Sequence, residues 1–241
     1  MDVLSSNTPI EPEAATAMRS LRAPLVVALG LVVAGALLFA VDVPVARWFR
    51  DHRLPGDLGR LIELGEVFGH SLSVALILIV MVSLDPLLRT ARRVAAVRWE
   101  IGRLVLATYA GGLVVDGLKL AFTRVRPRAT DFAGVDSFVE TFGRAAWHMA
   151  SVDMPQAIKK SADLMSFPSG HSAVAAGLAT MLAWKYPHGW PIFVILAALA
   201  GLQRVVSSAH YPSDVAFGAA CGVAMAAVCL AGSRPTRPVL P

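Results

Sequence analysis

Charged residues are scarce in this chain, at 16% of 241 residues, where a soluble domain carries about 25%. That shortage excludes disorder, which needs high charge and low hydrophobicity, and it argues against an ordinary water-soluble domain. Cysteine is nearly absent. Cys221 and Cys229 both lie in the last apolar run, form no disulfide framework or metal-ligand spacing, and read as small packing residues. Aromatic residues make up only 7%. No basic stretch is interleaved with exposed aromatics, so no nucleic-acid surface is expected. There is no internal repeat and no low-complexity tract.

What the chain does have is apolar surface. Hydrophobic residues reach 56% and mean hydropathy is +0.60. Six apolar runs stand out, at about 25–41, 69–84, 101–122, 169–184, 191–206 and 214–231. A helix of roughly 20 residues crosses a bilayer. The pattern therefore predicts an all-α, polytopic membrane bundle of six transmembrane helices over 24–232, with polar tails at 1–23 and 233–241. The first run is long for a signal peptide and lacks a clear cleavage site. The formal charge of +5 points to anionic partners.

Two connections carry structure of their own. Residues 44–68 hold Trp48 and Phe49 among Arg47, Arg50 and Arg53, which reads as an interfacial segment. Residues 128–167 are too long for an idle loop. There, Ser137 and Glu140 have capping-box spacing, and Val135, Phe138, Val139, Phe142, Ala146 and Met149 share a helical face. A short amphipathic helix at about 137–149 is expected between the third and fourth spans. Gly218 and Gly222 form a GxxxG, which lets apolar helices approach closely. Arg89, Arg92, Arg93 and Arg98 in the link after the second span, with Arg19, Arg22, Arg234 and Arg237, put that link and both termini on the cytoplasmic side.

Ionisable groups at membrane depth are expensive and are functional candidates by default. Here they form three clusters: Lys119 with Arg126-Pro127, Pro168-Ser169-Gly170-His171, and Arg204 with His210 and Asp214. The third and fifth spans run one way, and the fourth and sixth return. All three clusters therefore meet at one membrane face. Lys119, Arg126 and Arg204 supply three cations, and the helix N-terminus at Ser169-Gly170 supplies free N–H groups for an anion. The set reads as a phosphate cradle. His171, His210 and Asp214 could in principle ligate a metal, but three cations around a metal ion repel it. Asp214 on one nitrogen of His210 leaves the other free as nucleophile, and His171 beside the anion can protonate a leaving oxygen.

Lys119-x6-Arg126-Pro127, Pro168-Ser169-Gly170-His171 and Arg204-x5-His210-x3-Asp214 resemble the three motifs of the phosphatidic-acid-phosphatase type 2 superfamily, over about residues 100–220. The resemblance implies a metal-independent phosphatase acting on lipid phosphates or diphosphates at the outer face of the cell (inner) membrane, with no cofactor. It implies that Lys119, Arg126, Arg204 and the Ser169-Gly170 backbone hold the phosphoryl group. His210 becomes a phosphohistidine, Asp214 orients it, and His171 is the general acid. The family usually has Ser before the third-motif Arg, where this chain has Gln203.

Asp116, three residues before Lys119, is expected to pair with it. Lys159 and Lys160 read as a solvated pair, and His148 beside Trp147 as interfacial. His70 and His188 are assigned nothing. Two other readings are set aside. A vanadium haloperoxidase shares such a site but is soluble, and an anion transporter would hold its site near the midplane. The partners expected are a lipid phosphate and the bilayer. Phosphatidic acid, phosphatidylglycerophosphate, a polyprenyl diphosphate and a lipid A phosphate share the reacting group, so the motifs do not choose among them.

Overall fold

The computed structural model describes residues 13–52, 54–85, 94–143 and 161–231. Helix α1 (Glu13–Leu38) continues through a 3-10 turn, Phe39–Val41, into α2 (Asp42–Asp51). Then follow α3 (Gly56–Leu64), α4 (Glu66–Gly69), α5 (Ser71–Leu84), α6 (Val94–Ala121), α7 (Gly170–Lys185), α8 (Trp190–Val206) and α9 (Pro212–Leu230). The fold is all-α. Among the described residues no strand forms, and two isolated bridges both involve Arg124.

Among the described residues, four stretches are long and apolar enough to cross a membrane: Leu21–Asp51, Trp99–Ala121, Pro187–Val206 and Pro212–Leu230. A fifth exists if Gly56–Gly69 and Ser71–Leu84, bent by 69°, count as one broken span. The sequence predicts six. The remaining run is α7, whose 16 residues span about 24 Å, short of a hydrocarbon core of about 30 Å. Its Ala173, Ala175, Leu178 and Met181 are fully buried, as a helix apolar all round should be at a bundle centre. The second run also differs. Residues 56–64, expected to be interfacial, are helix α3 and form the first arm of the bend.

Helix α9 packs against α1, α6 and α7. The contact is backbone to backbone. A Cβ on Gly218 would strike the Ser169 carbonyl, one on Gly222 the Ala173 carbonyl, and one on Gly177 the Thr108 carbonyl at 2.5 Å. The GxxxG thus serves packing, as expected. Outward-facing Val26, Leu72, Leu113, Leu120 and Ile192 are each more than 60% exposed, an apolar exterior suited to lipid and not to water. At the end of the bundle away from the motifs, Lys185 closes α7 onto Asp85 through a buried ion pair of 2.6 Å.

The expected amphipathic helix is not found over the residues described. Ser137 and Glu140 do form the capping box, but they start only a 3-10 turn, Phe138–Thr141. Phe142 is already extended. The reason is competition for the backbone: the Val125 N–H donates to the Thr141 carbonyl and the Gly143 N–H to the Thr123 carbonyl, which ties the segment to the chain leaving α6. Phe138 and Phe142 point inward, against Phe39 and Phe167. Ala146 and Met149 lie outside the described residues, as do His148, Lys159 and Lys160.

Candidate active site

Beyond the end of α6 the chain runs extended and lies beside residues 163–166. The Arg124 and Arg126 N–H groups donate to the Leu164 and Asp163 carbonyls at 2.8 and 2.7 Å, and the Ser166 N–H returns to the Arg124 carbonyl at 3.0 Å. This pairing carries the chain into Ser169, the N-cap of α7. The Ser169 N–H is already engaged by the Asp214 carbonyl at 3.0 Å, which ties the start of α7 to the start of α9. The Gly170 and His171 N–H groups have no such partner among the described residues, as first-turn amides do not. On the third side, the Arg204 carbonyl accepts from the Ala209 and His210 N–H groups. That turn ends α8 and swings His210 inward.

All three motifs meet at this face. His210 is buried. Its Nδ1 donates to the Ser166 carbonyl at 2.7 Å, with Asp214 Oδ2 at 3.6 Å, a distance for charge attraction and not for a hydrogen bond. This fixes the tautomer and leaves Nε2 unengaged. Burial lowers the pKa of His210 from its ordinary 6.5, against the pull of Asp214. Asp214 is itself held on every side: Oδ1 accepts from Arg124 at 2.5 Å, and Oδ2 accepts from Ser166 Oγ at 2.6 Å and the Tyr211 N–H at 2.9 Å.

The three cations differ in what already occupies them. Arg126 has no side-chain partner among the described residues, and its buried Nε is unsatisfied. Burial, joined by Arg128, lowers its pKa. Lys119 pairs with Asp116 at 3.6 Å, as expected, and its Nζ would lie 3.5 Å from a Cβ at Gly170. Arg204 is held by Glu66 at 2.7 Å and by the Gln203 amide oxygen at 2.5 Å. Gln203 in turn donates to Glu66 at 3.4 Å. His171 has no hydrogen-bond partner among the described residues and faces the ring of His70 at 5.9 Å.

A sequence model described as the PAP2 superfamily matches residues 100–237. The chain belongs to that superfamily. The lipid A 1-phosphatase of Rhizobium etli is 32% identical over 208 residues, covering 83% of this chain and 80% of that protein. Two crystal structures share the fold. Aquifex aeolicus LpxE matches with a TM-score of 0.54 at 22% identity, over 80% of this chain and 96% of that one. The first transmembrane PAP2 type phosphatidylglycerolphosphate phosphatase from Bacillus subtilis matches with a TM-score of 0.57 at 19% identity, over 86% and 93%.

Beneath the PAP2 motifs lies a group that the motif reading misses. Arg124 is fully buried and binds Asp214, Asp42 at 2.6 Å, Ser213 at 2.9 Å and Thr141 at 3.0 Å. Its guanidinium lies 4.0 Å from the Tyr211 ring centroid and 4.5 Å from that of Phe142. Burial alone would lower its pKa, but Asp214 and Asp42 outweigh burial and raise it. Asp42 also accepts from the Ser213 N–H and hydroxyl, so the α1–α2 junction is fastened to the start of α9. The available signal was a carboxylate directly after an apolar run and a second Arg inside the first motif. An apolar cleft of about 760 Å³ opens beside the site, lined by Leu31, Ala198 and Ala219 and reaching Ser172, Gly201 and Val205.

Proposed function

We propose that this chain is a membrane-embedded, metal-independent phosphatase that hydrolyses lipid phosphate monoesters or diphosphates through a phosphohistidine on His210. The observation that carries this reading is the pinning of His210 Nδ1 to the Ser166 carbonyl, which leaves Nε2 free to attack, near Arg126, whose buried Nε has no partner among the described residues. Arg126, Lys119 and Arg204 bind the phosphoryl oxygens, and the free Gly170 and His171 N–H groups add dipoles where negative charge accumulates. Ser169 contributes as the cap that holds this helix start in place. The His210 Nε2 lone pair forms the N–P bond as the P–O bond to the lipid breaks, in line with it. His171 gives its proton to the departing oxygen. His171 then accepts a proton from water, whose oxygen attacks phosphorus, releasing inorganic phosphate and restoring neutral His210. Asp214 faces the positive charge that phosphorylated His210 carries.

The fold reading extends to six crossings across 24–232, with α7 as the short central one and the site on the extracytoplasmic face. The apolar cleft beside Ser172 and Val205 suits an acyl chain whose phosphate sits at headgroup depth, where binding raises the effective concentration of the reacting group. Relatives bearing the name lipid A 1-phosphatase support a lipid-linked phosphate. Purified protein should release inorganic phosphate from a lipid phosphate in excess EDTA, should be inhibited by vanadate, and should prefer lipid phosphates over glycerol 3-phosphate in kcat/KM. Activity lost in EDTA and restored by magnesium or zinc would sink the reading.

A further inference from the structure

Glu66 and His70 have no part in the chemistry above, yet both reach the site. The bend between the arms ending at Gly69 and starting at Ser71 brings them there. A Cβ on Gly69 would lie 3.1 Å from the His171 carbonyl, and one on Gly65 2.6 Å from the Leu199 backbone, so this corner is wedged between α7 and α8. From it, Glu66 reaches Arg204 at 2.7 Å with its side chain 43% exposed. His70, also exposed, sets its ring 5.9 Å from that of His171. Glu66 and His70 thus sit at Arg204 and the His171 ring, whereas His210 is held at the Ser166 carbonyl and Asp214. The corner is therefore on the general-acid side. In an in-line displacement the leaving oxygen departs opposite the nucleophile, towards His171, and the headgroup bearing that oxygen must lie against Glu66 and His70.

We propose that Glu66 and His70 form a leaving-group subsite that binds a hydroxyl-bearing headgroup, a sugar or a glycerol. The chemistry selects the ligand. An ionised carboxylate only accepts hydrogen bonds. A plain diacylglycerol leaving group has ester oxygens and no donor for it. A sugar or glycerol hydroxyl donates to a remaining lone pair of the half-exposed Glu66 carboxylate in a charge-assisted bond, and His70 can donate or accept beside it. Arg204 and Gln203 hold Glu66 in place for this role.

The inference rests on the phosphatase reading, and one set of assays separates the two. Phosphate release is measured with phosphatidic acid, phosphatidylglycerophosphate and a lipid A 1-phosphate, for the wild type and for Glu66→Gln, Glu66→Ala, His70→Ala and His70→Gln. The expected result is a fall of about tenfold in the ratio of kcat/KM on a hydroxyl-bearing lipid to that on phosphatidic acid for both alanine variants. His70→Gln recovers part of the loss. Whether the ratio moves for the glycerol lipid or the glycolipid identifies the headgroup. Equal losses on all three lipids would show that Glu66 and His70 only position Arg204 and His171, and would overturn the subsite. A wild type that releases phosphate from none of them, nor from a polyprenyl diphosphate, overturns the phosphatase reading itself.

Discussion

At the scale of single residues, the candidate site is built over a fully buried cation. Arg124 stands between Asp42 and Asp214, all three fully buried. Removing one partner from such a group leaves an uncompensated charge, at a cost of roughly 3–5 kcal/mol. Arg124→Met should therefore lower Tm and reduce kcat by at least about a hundredfold. The double variant with Asp42→Asn should recover part of the stability but not the rate, because Asp214 still lacks its anchor. Thermal melts and kinetics on the two proteins check this, and full recovery of rate would contradict it. His210 gives a second expectation. The proposed attack needs it neutral, and burial lowers its pKa. The acidic limb of the kcat/KM profile should lie below pH 6.5, with activity lost only as pH falls through the lowered value. A limb above pH 6.5 would mean that Asp214 outweighs burial.

At the scale of elements, the order of the helices that carry the motifs was legible and their shape was not. Counting runs was enough to bring Lys119, Arg126, Ser169, His171, Arg204, His210 and Asp214 to one face, because consecutive spans must alternate. The bend at Gly69–His70 was hidden. An apolar run looks the same whether straight or broken, and the corner is marked only by the close approach of Gly65 and Gly69 to α8 and α7. Phe138 and Phe142 misled for a related reason: helical spacing gave them a membrane face, while backbone bonds to 123–125 turned them inward. Phe142 lies under the Arg124 guanidinium and Phe138 stacks on Phe39. Close packing also gives the elements a direct hold on the chemistry. A Cβ on Gly218 would push on the Ser169 carbonyl at the cradle, while one on Gly222 would push on Ala173 a turn deeper. Gly218→Ala should cost more in kcat/KM than Gly222→Ala for the same loss of Tm. Equal activity losses at matched stability would contradict this.

At the scale of the whole molecule, the account is of a phosphate cradle at the end of a bundle, and so of a compartment. With Cys221 and Cys229 replaced, a single cysteine at Ser161 should react with an impermeant thiol reagent outside intact cells, and one at Thr90 should not. The reverse pattern would put the site in the cytosol. The central claim, that His210 takes the phosphoryl group, is tested most directly by rapidly quenching the purified protein during turnover of a lipid labelled with ³²P at the scissile phosphate. The account predicts label on the wild-type chain that survives alkali and is lost in acid, as an N–P bond behaves, and no label on His210→Ala. Full turnover by His210→Ala, or label that survives acid on both proteins, would contradict it.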